Sequence, residues 1–230
     1  MTSAVVFDFD GVLVDSEGFH FHAYRNVLQS LGVTLTKAQY YDRYLPYDDA
    51  GAFRAMARDF HLPLSDTVLD DWIRAKATHF ARLAGDGVVL LPGAREVIER
   101  TAAAFPIAIA SGASRHEILD VLHREQLLSL FPVVVAAEDA PASKPDPAPY
   151  RLAVERLGAH HGMALAPRHC VAIEDSRGGL QSARAAGLRT VAVTGSYSAD
   201  QLRPHADEVI AHLDECTVER LATLSARDTR

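Results

Sequence analysis

At 230 residues, 48% of them hydrophobic and 23% charged, the chain can bury a sizeable core and has the composition of a soluble globular protein, either one domain or a core with an insertion. A formal net charge of −7 with no offsetting Lys/Arg cluster argues against nucleic acid as a partner and favours small molecules. Cys170 and Cys216 lack CxxC or zinc-ligand spacing, which suggests buried thiols in a reducing compartment. With no basic leader and no long apolar segment, a membrane partner is not expected, and a cytoplasmic monomer is.

The chain opens on Val5-Val6-Phe7-Asp8-Phe9-Asp10-Gly11-Val12, a β-branched apolar run that reads as a buried strand ending in a glycine turn. Two carboxylates, Asp8 and Asp10, stand at its mouth. Burying both is costly unless a cation compensates them. Residues 16–31 then read as a helix, with Gly32 placed for a left-handed cap. From there to about residue 89 the pattern is helical, with segments near 49–60 and 65–83. In the second of these, Leu69, Ile73, Ala77 and Phe80 recur at helical spacing.

Beyond Leu91-Pro92-Gly93 the pattern alternates. Short apolar strands are expected at 107–110, 133–135, 171–173, 190–193 and 209–210. Between them lie a helix opened by the capping box Ser114 to Glu117, a helix reached through the Pro-rich stretch 141–149, one opened by Gly178-Gly179, and a last one over 217–224. Continuous apolar strands separated by helices predict an α/β fold, a Rossmann-like doubly wound parallel sheet. The expected division is a core of residues 1–15 and 90–230 with an inserted helical cap of 16–89.

In such sheets ligands sit beyond the carboxyl ends of the strands, so the polar residues that follow each strand should converge. They are Asp8 and Asp10, then Ser111-Gly112, then Lys144 in the loop after the third strand, then Glu174-Asp175. Carboxylates, a hydroxyl and an ammonium in one crevice suit magnesium-assisted phosphoryl transfer. Mg²⁺ takes hard oxygen ligands and would offset the repulsion among the acids, while Ser111, Lys144 and the N–H groups beside Gly112 would hold phosphate oxygens.

In that order, Asp8-Phe9-Asp10-Gly11-Val12, Ser111, Ser143-Lys144-Pro145 and Glu174-Asp175-Ser176 resemble the four motifs of the haloacid dehalogenase-like hydrolase superfamily. The helical insertion is similar to the small cap of its branch with β-phosphoglucomutase, phosphoglycolate phosphatase and sugar-phosphate phosphatases. The resemblance implies that Asp8 is the nucleophile and Asp10 the general acid and base. It implies one Mg²⁺ per active site, held by Asp8, the Asp10 carbonyl and Asp175 with help from Glu174. It implies phosphate binding by Ser111, Gly112 and Lys144, with a small phosphate ester as substrate.

From the cap, His20, Tyr47 and Lys76 are the candidates to face substrate. The family often has a histidine at the position of His20. Lys76 shares a helical face with Trp72, His79 and Leu83, which also reads as a packing face with snorkelling ends. In the mutase branch a cap loop carries an arginine for a second phosphate. The corresponding segment here, Tyr44-Leu45-Pro46-Tyr47-Asp48-Asp49-Ala50, offers acids and tyrosines, with Arg43 and Arg54 flanking it. A phosphatase is therefore expected ahead of a β-phosphoglucomutase-type mutase. Asp10 argues against a dehalogenase, and the chain's length and insertion argue against a phospho-accepting receiver module.

Overall fold

The computed structural model describes residues 2–85 and 87–224. Six strands, β1 (Ala4–Phe7), β2 (Ile107–Ala110), β3 (Val133–Val135), β4 (Cys170–Glu174), β5 (Arg189–Val193) and β6 (Glu208–Ile210), form one parallel sheet in the order β3-β2-β1-β4-β5-β6. The helices in chain order are α1 (Glu17–Ser30), α2 (Lys37–Gln39), α3 (Asp49–Asp59), α4 (Asp66–Ala84), α5 (Ala94–Ala104), α6 (Arg115–Arg124), α7 (Ala148–His160), α8 (Arg177–Ala185), α9 (Ala199–Leu202) and α10 (Val218–Leu224). No helix among the described residues is long and apolar enough to cross a membrane.

The strands read as continuous apolar runs because both sheet faces are covered, yet the faces differ. Val5, Phe7, Ile107, Ile109, Val171 and Ile173 point into the larger core cluster, which takes in α5, α6 and α10. Their alternates, Ala4, Val6, Ala108, Ala110, Cys170 and Ala172, point the other way. Small side chains on that second face let α7 lie close, with Tyr150, Ala153 and Leu157 filling the space above β2 and β3. Cys170 and Cys216 are buried and unpaired, and burial pushes both thiols up to about 12.

β1 pairs with β2 on one side and β4 on the other, so the strand order reverses beside β1 and opens a crevice at its carboxyl end. Register decides what meets there. Phe7 stands opposite Ile173, and the Asp8 N–H donates to the Ile173 carbonyl at 2.9 Å, which sets Asp8 next to Glu174 and Asp175.

Helices α1 to α4 pack on one another around a separate apolar cluster. The chain runs into and out of this bundle side by side: Asp15 N–H donates to the Val89 carbonyl at 3.0 Å and Leu91 N–H to the Leu13 carbonyl at 2.9 Å. Two details differ from the sequence expectation. The buried stripe of α4 is Leu69, Trp72, Lys76 and Phe80, while Ala77 is exposed. Trp72 turns inward because its ring packs on Phe53, with centroids 5.6 Å apart. The second is a turn of π-helix, Tyr40–Tyr44, which follows α2 within the stretch read as generally helical and closes with Leu45 N–H donating to the Tyr40 carbonyl at 3.0 Å.

Beyond β3, Asp139 ties the loop to two helices. It accepts the Ala136 N–H at 2.8 Å and Arg156 at 2.9 Å, and pairs with Arg115. Burial pushes its carboxyl up, but these three donors outweigh that and hold it below the ordinary carboxylate value. A lowered acid stabilises the fold above its unfolded value and loses that contribution as pH falls through its folded value. Asp139→Ala is expected to cost about 1–2 kcal/mol near neutral pH, given the partial exposure of both arginines. Denaturant melts of both proteins should converge as pH is lowered through the carboxylate range.

Candidate active site

The deepest part of the crevice is a buried charge network centred on Lys144, reached through the loop after β3. Its ammonium donates to Asp8 Oδ1 at 2.7 Å and to Glu174 Oε1 at 2.6 Å, and lies 5.1 Å from the centre of the Tyr150 ring. Burial alone would lower the Lys144 pKa, but the two carboxylates outweigh it and raise it. Glu174, with no exposed surface, accepts three further kinds of donor: the Tyr150 hydroxyl at 3.0 Å, the Asp175 and Ser176 N–H groups at 3.1 Å each, and the Ser176 hydroxyl at 3.0 Å. Its lone pairs are committed. Gly179 makes room for it, since a Cβ there would overlap the Glu174 carboxylate.

Carboxylate oxygens of Asp8, Glu174 and Asp175 lie within 4.8 Å of one another, all from buried residues. The carboxyls of Asp8 and Asp175 are raised well above the ordinary range, by burial first and by the Glu174 charge second. One ammonium does not compensate three acids. Asp175 also accepts the Ser196 hydroxyl and packs against Gly11, where φ is +72° and a Cβ would overlap its carboxylate. A glycine is needed there on both counts. The donor set, hard oxygens with surplus negative charge, fits a hard divalent cation.

Asp10 sits on the turn after β1, apart from Lys144. Its Oδ1 accepts the Ser16 hydroxyl and lies 3.3 Å from His20 Nε2 on α1. Burial would raise the Asp10 carboxyl, but His20, Ser16 and Lys76 together hold it below the ordinary value. Burial and Lys76 would lower His20, but Asp10 and Glu17 raise it. Both shifts favour an ion pair with the proton on His20. Across the cleft, the Ser111 Oγ accepts the Ala113 N–H at 3.0 Å, which leaves its own proton to donate. The Tyr47–Asp48 backbone passes over Gly112.

The cleft is lined by Asp8, Asp10, Ser111, Gly112, Lys144 and Asp175 below and by His20, Tyr47 and other bundle residues above. Of the bundle residues named from sequence, His20 and Tyr47 line it and Lys76 does not. Lys76 is 1% exposed, so its end does not snorkel; the ammonium stays inside, 2.9 Å from Asp49 Oδ1. Arg43 pairs with Asp59, Arg54 is exposed, and neither lines the cleft. Sequence reasoning missed Glu17, Tyr24 and Tyr40, which also line it, and Ser196, which follows β5 and was within reach of the same strand-end rule. Glu17 accepts the Tyr40 hydroxyl at 3.0 Å and is pushed up to about 7, chiefly by burial.

Polar contacts help seat the bundle on the core. Asp48 accepts a hydrogen bond from Ser143, Arg177 pairs with Asp42 at 3.0 Å, and the Tyr197 hydroxyl donates to the Tyr41 carbonyl. Gly178 permits the approach, because a Cβ there would overlap Pro46.

Removing the central ammonium leaves Asp8 and Glu174 facing each other without compensation. Lys144→Met in chelator is expected to lose about 3–5 kcal/mol of stability at mildly alkaline pH. A carboxyl raised by folding penalises the fold above its unfolded value, so the deficit should shrink as pH falls and Asp8 takes up a proton. Urea melts over a pH series read both numbers.

Comparison with known proteins places this geometry. Residues 5–193 match the family model described as haloacid dehalogenase-like hydrolase. Protein CbbY of Rhodobacter capsulatus is 32% identical over 202 residues, 85% of this chain and 86% of its own. The phosphorylated carbohydrates phosphatase of Thermotoga maritima is 30% identical over 189 residues, 82% and 83% of the two chains. Among solved structures, a mutant of CbbY from Rhodobacter sphaeroides in complex with xylulose-(1,5)bisphosphate superposes with a TM-score of 0.77 at 26% identity, covering 94% of this chain and 96% of that one. With its strand order, its ordered motif residues and these relatives, the chain belongs to the haloacid dehalogenase-like hydrolases.

Proposed function

We propose that the chain hydrolyses a small phosphate monoester, a sugar phosphate or similar metabolite, through an aspartyl phosphate on Asp8 with one Mg²⁺ per active site. Family membership and relatives named as phosphatases, that of Thermotoga maritima and hexitol phosphatase B of Escherichia coli, make it a phosphoric monoester hydrolase. The observation that carries the finer reading is the position of Asp8: one oxygen is clamped by Lys144, Asp175 stands beside it, and the Ser111 hydroxyl lies across the same cleft.

With Oδ1 held, Oδ2 of Asp8 is the oxygen that attacks phosphorus. Lys144 and the Ser111 hydroxyl hold the non-bridging oxygens, and Glu174, its lone pairs used up, keeps Lys144 in place. A Mg²⁺ held by the Asp8 and Asp175 carboxylates and the Asp10 carbonyl would neutralise charge on the phosphoryl oxygens. A dianionic phosphoryl group beside Asp10 raises its pKa, and the His20 imidazolium 3.3 Å away is the proton's source. Asp10 then protonates the leaving oxygen. In the second half it takes a proton from the attacking water, and the Asp8–phosphorus bond breaks to release phosphate.

A β-phosphoglucomutase-type reaction needs a cation free to grip a second phosphate. Among the described residues lining the cleft, Lys144 is occupied at the core end and no arginine is present, so hydrolysis is the reading adopted. Asp8→Asn is expected to lower phosphate release from a panel of monoesters by at least about a thousandfold with an unchanged circular dichroism spectrum. Near wild-type turnover would exclude Asp8 as nucleophile. EDTA should abolish release and Mg²⁺ restore it; full activity in chelator would remove the metal from the scheme.

A further inference from the structure

The leaving-group end of the cleft is formed by α1, the π turn and the start of α3, and one buried pair sets its charge. The Lys76 ammonium lies over the rings of Tyr24 and Phe80, at 5.3 and 5.1 Å, and points to Asp49 Oδ1 at 2.9 Å. The Tyr24 hydroxyl donates to the same oxygen at 2.6 Å. The Asp49 side chain, 30% exposed, lines the cleft, whereas that of Lys76 does not. A ligand therefore meets the acid and not the base. Both bonds fall on Oδ1, so Oδ2 retains acceptor capacity, and Glu17 adds a second carboxyl at the same end.

We propose that Asp49 is a specificity-determining residue. By occupying Lys76 and presenting its own carboxylate, it admits phosphate monoesters with a neutral polyhydroxyl leaving group and rejects those with a second phosphate. Hydroxyl groups find acceptors there, while a second phosphate meets like charge in a partly desolvated site. The proposal rests on the reading of the cleft as a phosphate-ester site, and it separates this chain from the relative bound to xylulose-(1,5)bisphosphate. Asp49 is also the first residue of α3, where an acid favours the helix. A purely structural role of that kind would change stability and leave ligand preference alone.

The test measures Kd by calorimetry, with Mg²⁺, in an Asp8→Asn background that holds its ligand. Fructose 6-phosphate and fructose 1,6-bisphosphate form the pair, since they differ only in the second phosphate. The background should prefer the monophosphate. Asp49→Asn should shift the affinity ratio toward the bisphosphate by about tenfold or more, as the carboxylate is lost and the Lys76 ammonium released, and Lys76→Met added to it should take back the ammonium's share and leave a ratio between those of the background and Asp49→Asn. Should Asp49→Asn not fold, Asp49→Leu with Lys76→Met removes the buried pair as a unit and should abolish the preference. The proposal is overturned by an unmoved ratio, by a shift that Lys76→Met leaves undiminished, by a background that prefers the bisphosphate, or by a background that binds neither sugar. Phosphate release from para-nitrophenyl phosphate by the wild-type chain tests the hydrolase reading separately. If release is absent while the ratio still follows Asp49, the hydrolase reading falls and the charge selection stands.

Discussion

Everything at the mouth of the sheet depends on a single buried ammonium. Lys144 sits between Asp8 and Glu174, and without it two buried acids at the ends of neighbouring strands would face each other with little solvent to screen them. Its reach explains why residues far apart in sequence occupy fixed positions. The strand register brings the acids together, the loop after β3 delivers the cation, and Tyr150 on α7 and the first turn of α8 saturate Glu174 from behind. Asp8 is thereby left with one oxygen bound and one oxygen available, a division of labour within a single carboxylate.

Charge is arranged differently at the two ends of the cleft. At the core end, three acids outnumber one base, which leaves a deficit that a hard cation fits. At the bundle end two acids are each paired with a base, Asp10 with His20 and Asp49 with Lys76, and Glu17 adds a further carboxyl. The first arrangement suits the part of a substrate that every phosphate ester shares. The second deals with the part in which esters differ.

Much of this was legible in the chain, for identifiable reasons. The strands announce themselves because both faces are buried, so each is an unbroken apolar run, and the fold rule then names the residues after them. Asp8, Ser111, Lys144 and Asp175 were found that way and do line one cleft. Lys76 was not legible in the same sense. Its partner lies on another helix, and nothing in the spacing of α4 says that a lysine within an apolar stripe will keep its ammonium inside. Nor was the turn of π-helix, since Tyr40, Tyr41 and Tyr44 follow no simple period and their placement comes from contacts with Tyr24 on α1 and Tyr197 in the loop after β5. Local pattern reported the scaffold, and tertiary pairing decided the specificity end.

The side-by-side crossing of the chain between sheet and bundle has a mechanical consequence. Asp10 belongs to the turn that forms this crossing, while His20 belongs to the first helix beyond it. The hydrogen bond between them thus spans a joint. A tilt of the bundle about this crossing would change the distance between imidazole and carboxyl, so in the proposed reaction the proton supply to Asp10 would follow how closely the bundle is seated on the core.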